Sequence, residues 1–234
     1  MNNPNKLHVI ITGTTGMVGE GVLHECLQHP DVEKILVINR KPCGYSHSKL
    51  KEIIHGDFYN LSSIINQLSG YNTCFFCLGV SVIGLSEQEY VSRTYTLTLH
   101  FAETLSIQNP DMIFSYISGS GTDSTEKGRQ MWARVKGKTE NDLKKLPFKK
   151  VYAFRPGYLH PTKGLKNTLG YYKYLSWIYP IVKVLTPNFV STLSELGQAM
   201  IKISRDGNEK QVLEVKDIVA IAKDIDVRVS LKTP

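Results

Sequence analysis

The sequence predicts an α/β protein built on a doubly wound parallel sheet. Two observations point there. Short runs of β-branched and aromatic residues alternate with helical patterns through the first 155 residues, the rhythm of strands joined by crossover helices. The first such run leads directly into a glycine-rich turn rather than a polar loop. Right-handed crossovers then impose the doubly wound order and bring ligands to the carboxyl ends of the strands.

The elements follow in order. Leu7–Thr12 reads as a first strand, with an amphipathic helix after the turn running to about Gln28. Lys34–Ile38 and Glu52–His55 are the second and third strands, Leu61–Leu68 is expected to be helical, and Thr73–Leu78 is a buried fourth strand. Ser86 and Glu89 form a capping box that opens a long helix to about Ser106. Met112–Ile117, a helix over about Gln130–Lys145, and Lys150–Phe154 complete the alternation. Past Arg155 the rhythm breaks at Pro156, Gly157, Pro161, Gly164 and Gly170, and Tyr171–Leu185 is aromatic, apolar and interrupted at Pro180. A last strand is expected over Gln211–Val215 and a helix from Asp217. We read one domain over 1–234: a core of about 6–156, a small lobe of about 157–205 covering the substrate, and a closing strand and helix at about 210–225.

Composition excludes several classes. At 41% hydrophobic and 21% charged residues the chain is not disordered. Four cysteines are too few for a disulfide scaffold. The apolar run at the N-terminus ends in the glycine turn and not in a cleavage site, and the uncharged stretch from Phe58 to Ser86 is too polar to span a bilayer. A cytoplasmic protein is expected. Cys74 and Cys77 lie three apart in a strand and face opposite sides, so they read as core and not as a metal or redox pair. Gly137-Lys138-Thr139 lacks the earlier glycine of a phosphate loop, because Trp132 stands there. No metal site is expected from the histidines, of which His160 is the one that could face a substrate.

The turn reads Gly13-Thr-Thr-Gly16-Met-Val-Gly19. Glycine there permits positive φ and close approach of a phosphate, and the helix N-terminus adds free N–H groups and a positive dipole. The turn is therefore the fingerprint of a Rossmann-type dinucleotide site, with Gly13, Thr15, Gly16, Met17 and Gly19 as its candidate residues. At the end of the second strand, where an acid would hydrogen-bond the ribose of NAD, stand Asn39, Arg40 and Lys41. Arg40 can pair with a 2′-phosphate, so NADP is preferred as cofactor and NAD is the alternative.

Together with Gly56-Asp57-Phe58, Cys77-Leu78-Gly79 and Arg155-Pro156-Gly157, this spacing resembles the atypical short-chain dehydrogenases/reductases. The likeness is to the small branch around the Tat-interacting oxidoreductase-like proteins and bacterial relatives labelled nucleoside-diphosphate-sugar epimerases. The resemblance implies Asp57 and Phe58 against adenine, Leu78 and Gly79 along the ribose and phosphates, and Pro156 and Gly157 beside the nicotinamide. It also implies a Ser, Tyr, Lys set with Tyr and Lys four apart on one helix. Here that segment is Trp132-Ala-Arg-Val-Lys136: the lysine is present and the tyrosine is not. An indole donates a hydrogen bond but does not titrate, so Trp132 cannot serve as general acid. Ser118 is favoured over Ser120 as the serine, and Tyr90, Tyr95 and Tyr158 are the other tyrosines to consider. The chain is thus expected to be an NADP-binding protein with oxidoreductase or epimerase-like activity on an unknown small molecule, or else a non-catalytic NADP-dependent regulatory module. Nine basic and two acidic residues lie between Lys127 and Lys150, numerically the whole net charge of +7. This local excess suits an anionic dinucleotide or substrate better than nucleic acid.

Overall fold

The alternation of the sequence becomes a seven-stranded parallel sheet with helices on both faces. The computed structural model describes residues 6–168 and 188–230, together with Tyr179, Leu185 and Thr186. Strands β1 (Leu7–Thr12), β2 (Val32–Asn39), β3 (Leu50–Ile54), β4 (Thr73–Phe76), β5 (Ile113–Ile117) and β6 (Lys150–Arg155) are joined by β9 (Val212–Glu214) in the order β3-β2-β1-β4-β5-β6-β9. A separate two-stranded parallel sheet pairs β7 (Tyr158–His160) with β8 (Val190–Thr192).

Successive side chains of a strand leave the sheet on opposite sides. Val9, Ile11, Ile35 and Val37 therefore enter one core while Ile10, Leu36 and Ile38 enter the other. The first core is closed by α1 (Met17–Gln28) and by two later helices, α5 (Leu193–Asp206) and α6 (Val215–Ser230). The second is closed by α3 (Leu97–Gln108), by Leu143 of α4 (Met131–Leu143), and by the stretch from Leu61 to Tyr71. The strand order reverses between β1 and β4, and the crevice at their carboxyl ends is the natural ligand site of such a sheet.

Three local expectations change. The Leu61–Leu68 stretch is a series of tight turns with a single 3-10 helix at Ile65–Gln67. Leu61, Ile64 and Leu68 are buried at helical spacing, but the backbone closes with i to i+3 bonds such as Ile64 N–H to Leu61 C=O at 3.0 Å. The Asn60 carboxamide also takes the Ser62 N–H and hydroxyl, competing with helix formation. Strand β4 ends at Phe76, and the next residue, Cys77, lies with its carbonyl oxygen 2.7 Å from where a Cβ on Gly13 would stand. The long helix from Ser86 has its capping box, yet α2 (Glu87–Val91) and α3 are separated by a π turn over Ser92–Thr96.

Helix α5 lies within the stretch read as covering the substrate, yet it packs on the sheet. Thr192 and Glu195 form its capping box. Close approach of α5 to α1 relies on absent side chains: a Cβ at Gly197 would stand 2.6 Å from Glu25 Cγ. Of the Tyr171–Leu185 segment only Tyr179 and Leu185 belong to the described residues; the rest lies outside them. Cys74 is buried in the second core, while Cys77 packs against the first. Gly137 lies within α4 against the preceding loop, where a Cβ would stand 1.8 Å from the Asp123 carbonyl oxygen.

That backbone contact cannot move aside, so Gly137→Ala is expected to cost about 3 kcal/mol or more. Gly56, where nothing lies within 4 Å of an added Cβ, should accept alanine with a change under about 0.5 kcal/mol. Urea denaturation of both variants tests the pair.

Candidate functional site

The glycine turn divides its labour among three residues. Gly13 has φ of +73°, and a Cβ on it would stand 2.7 Å from the Cys77 carbonyl oxygen. A Cβ on Gly19 would stand 2.2 Å from the Gly13 carbonyl oxygen, so this glycine lets α1 close on the turn. Gly16 is different: the nearest atom to an added Cβ is 3.5 Å away, and the residue is exposed. Packing does not demand glycine there, but close approach of a ligand does. Gly16 is also the N-cap of α1 and offers no side chain to the first-turn amides. Helix ends need such partners, and a pyrophosphate supplies them. The residues present fit a dinucleotide.

Asn39, at the position of the usual acid, is buried and locked to the turn. Its carboxamide donates to Thr14 Oγ1 at 2.6 Å and accepts the Thr14 N–H at 3.2 Å. Arg40 and Lys41 follow it and are exposed, as are Thr15, Asp57 and Gly79; Met17 and Leu78 are half-buried. Asp57 accepts the Tyr59 N–H at 2.9 Å. Phe58 is a core residue, 3% exposed, with its ring 5.7 Å from that of Phe101. Gly157 is held against the backbone that precedes β8, since a Cβ would stand 2.2 Å from the Phe189 carbonyl oxygen.

The other half of the site converges on Glu140, a fully buried carboxylate of α4. Arg155, at the end of β6, reaches it through Nε at 2.9 Å and its terminal nitrogen at 2.5 Å. The same guanidinium donates to Ser124 Oγ at 2.5 Å and to Glu214 of β9 at 3.2 Å. Ser118, just past β5, donates its hydroxyl to Glu140 Oε1 at 2.5 Å. Lys136 Nζ donates to the Ser118 carbonyl oxygen. Desolvation brings the Lys136 ammonium down to about 8, against the opposing pull of Glu140. The ring of Trp132 packs beside Gly121, 3.5 Å from where a Cβ would be. Trp132 and Lys136 thus both border the loop that follows β5. Ser120 donates its N–H to the Pro156 carbonyl oxygen at 2.8 Å, and its hydroxyl stands outside the Glu140 network.

Of the alternative tyrosines, Tyr158 opens β7 and is half-buried, while the others are committed elsewhere or held neutral. Tyr90 is 2% exposed, and burial raises its pKa. Tyr95 donates to Asp142 Oδ2 at 2.8 Å. Tyr116, beside Thr139 and Glu140, is pushed far above the usual range by burial. His160 stacks on Tyr179 with ring centroids 3.9 Å apart. Among the described residues no cluster of His, Cys, Asp or Glu could hold a metal. Sequence reading missed the role of Glu140. Its one signal is the spacing of four from Lys136, which places both on the inner face of a helix that is otherwise strongly basic.

A parallel sheet with a phosphate-approach glycine at its switch point defines a dinucleotide-binding protein of the Rossmann class. The NAD dependent epimerase/dehydratase family model matches residues 9–138, more than half of the chain, and the protein belongs to that family. A nicotinamide dinucleotide is accordingly its cofactor class. The chain is 31% identical over 122 residues to "Leucinostatins biosynthesis cluster protein T" of Purpureocillium lilacinum, covering 51% of this chain but only 45% of that protein. It is 24% identical over 229 residues to "Protein FMP52-2, mitochondrial" of Scheffersomyces stipitis, covering 92% and 97% of the two chains. It is 22% identical over 222 residues to "Protein HTATIP2" of Rattus norvegicus, covering 93% and 90%. Among solved structures, a short chain dehydrogenase from Burkholderia cenocepacia in complex with NADP matches with a TM-score of 0.63 at 12% identity, over 98% of this chain and 99% of that one. These relatives agree with the atypical dehydrogenase/reductase resemblance. They overturn the cytoplasmic expectation, because FMP52 relatives spanning nearly the whole chain are named mitochondrial. No helix among the described residues is long and apolar enough to cross a membrane.

Lys136 carries a pH prediction. Its folded-state value of about 8 lies below the ordinary 10.5, so the unfolded chain holds more protons between these values. Stability contributed at this site therefore rises as pH climbs from about 8 towards about 10.5. Denaturation midpoints across that range should show the rise in wild type, and Lys136→Met should flatten it.

Proposed function

We propose that this protein binds NADP at the β1/β4 switch point and lacks the ordinary proton donor for carbonyl reduction, which makes it a cofactor-responsive regulatory protein and not a conventional reductase. The observation that carries this reading is the pairing of an open Gly16 cradle with an indole at the proton-donor position. Thr15 and Met17 would present backbone to the pyrophosphate beside Gly13, Gly16 and Gly19. Asn39 brings no carboxylate to repel a 2′-phosphate, and Arg40 and Lys41 stand exposed beside it. Asp57 would border the adenine, with Phe58 as the core wall beneath it. Leu78 and Gly79 would line the ribose and phosphates, Lys136 would hold the nicotinamide ribose, and Pro156 and Gly157 would border the ring.

When bound, the cofactor supplies or accepts a hydride. On this reading neither of the two usual positions, 132 and 118, supplies an acid for the substrate oxygen. Trp132 does not titrate. Ser118 already donates its single hydroxyl proton to Glu140. Small-molecule binding at this face would draw on the basic loop residues Lys127 and Arg129, both exposed, which favours an anionic ligand.

A second reading is favoured by one observation, the Lys136 ammonium at about 8. That value suits a general acid near neutral pH, and Lys136 would then protonate the substrate oxygen in place of tyrosine. Titration of NADPH into the purified protein, followed by turnover on panels of aldehydes and ketones, separates the two. The regulatory reading expects tight binding with background NADPH oxidation, and a gain of about a hundredfold in Trp132→Tyr. Turnover with a pH midpoint near 8 that vanishes in Lys136→Arg would establish the second reading. Robust turnover indifferent to both substitutions would overturn both.

A further inference from the structure

A second buried carboxylate lies at the opposite end of the crevice, and the chemistry at Glu140 leaves it unused. Glu20, in the first turn of α1, is fully buried. Its Oε1 accepts the Tyr45 hydroxyl at 2.5 Å and the Lys166 N–H at 2.8 Å, and its Oε2 accepts the Asn167 N–H at 2.7 Å. Lys166 adds two contacts of its own. Its Nζ donates to the Gly44 carbonyl oxygen at 2.9 Å and lies 4.8 Å from the centroid of the Tyr45 ring. Desolvation, then the Glu20 bond, pushes the Tyr45 phenol up to about 12.

These bonds all bear on the loop between β2 and β3. Asn39 ties its start to Thr14 of the glycine turn. The Cys43 N–H is held by Glu52 Oε1 at 2.8 Å. Tyr45 and Gly44 are held by Glu20 and Lys166. Arg40 and Lys41 are the exposed cations of this pinned loop, and they begin one residue after Asn39. A ten-residue loop tied at three points holds the backbone from which its charges project, which favours recognition of a phosphate by a guanidinium fork.

We propose that Glu20 is a positioning residue for dinucleotide selectivity. Through Tyr45 and Lys166 it sets the loop that carries Arg40, and it couples recognition of a 2′-phosphorylated dinucleotide to the segment at residues 163–168. The proposal rests on the reading of Arg40 as the 2′-phosphate ligand. Because Glu20 binds the Tyr45 phenol and the amides of Lys166 and Asn167, two distant segments of chain share one acceptor. Ordering the Arg40 loop by a 2′-phosphate therefore orders Lys166 and Asn167, and NAD, which lacks that phosphate, does so less.

The test is isothermal titration of NADP+ and NAD+ into the full-length protein and three variants. Arg40→Ala establishes the underlying reading. It should lower NADP+ affinity about tenfold or more, with NAD+ little changed. Glu20→Gln should lower the preference for NADP+ over NAD+ by about tenfold, and Tyr45→Phe by a smaller factor, both by acting on NADP+ alone. Tyr45→Phe removes one oxygen from a half-buried ring and preserves the test if Glu20→Gln folds poorly. Hydrogen exchange gives an independent readout: NADP+ should protect the amides of Lys166 and Asn167 more than NAD+ does, and Tyr45→Phe should narrow that difference. If Arg40→Ala leaves the preference intact, the cofactor reading fails and the proposal falls with it. If Arg40→Ala abolishes the preference while Glu20→Gln and Tyr45→Phe weaken both dinucleotides equally, or neither, the cofactor reading stands and the Glu20 role is overturned.

Discussion

Burying Glu140 is tolerable only because Arg155 and Ser118 meet it. A carboxylate with no exposed surface has lost its hydration, which costs several kcal/mol that a single contact does not return. Here a guanidinium covers both oxygens, and a hydroxyl adds a charge-assisted bond to one of them. The pair therefore draws α4, the end of β6, and the turn after β5 to one point, and Glu214 extends the contact to β9. Lys136 takes its place from the same arrangement, since its amine rests on the carbonyl of Ser118. Removing either member of such a pair strands the other charge, whereas replacing both with apolar residues of similar volume need not be destabilising. The network is thus better understood as fixing geometry at the carboxyl ends of β5 and β6 than as supplying net stability.

The other end of the crevice solves a similar problem without a cation. Glu20 is satisfied by two backbone amides and a phenol, all from segments distant in sequence. Its position in the first turn of α1 also places negative charge where the helix dipole favours it. One carboxylate consequently organises the turn after β5 and the end of β6 through an ion pair, and the other organises the β2–β3 loop and residues 166–167 through dipoles. The basic excess around α4 is tempered in the same manner. Asp142 takes Lys138 and Lys145, each at 2.6 Å, and Glu87 takes Arg134 at 2.9 Å. Much of the local charge is thus spent on packing α4 against α2 and on its own last turns.

What the sequence made legible follows from how local each constraint is. The glycine turn was readable because its reasons lie within a few residues: a positive φ at Gly13, a close carbonyl at Gly19, open space at Gly16. The strands were readable because they are buried on both faces and so appear as short, nearly continuous apolar runs of adjacent residues. Helix α5 was harder, since its apolar positions serve a contact with α1 made across more than 150 residues of chain. The stretch after Leu61 shows the reverse failure: helical spacing of buried residues was present, but Asn60 and the following serines gave the backbone other partners. Glu140 was hidden by its neighbours. In a segment so rich in lysine, a single glutamate reads as a surface counter-charge, and only a distant strand end reveals it as the centre of the site.

The tryptophan at position 132 changes meaning once Ser118 is seen to be occupied. With a tyrosine absent but a free serine hydroxyl present, the substrate oxygen would still find one donor. With the serine proton directed to a buried carboxylate, both usual donors would on the proposed reading be withdrawn together, while the glycine turn keeps its open position at Gly16. On the proposed reading, phosphate recognition would use the turn and α1, whereas protonation would use α4 and the turn after β5. A change at Trp132 that leaves Lys136 in place would then remove ordinary chemistry while sparing the phosphate contacts. The indole itself packs against the loop after β5, 3.5 Å from where a Cβ on Gly121 would stand. Lys136 remains as a titrating group of α4 beside that loop, and desolvation lowers its pKa to about 8 against the pull of Glu140.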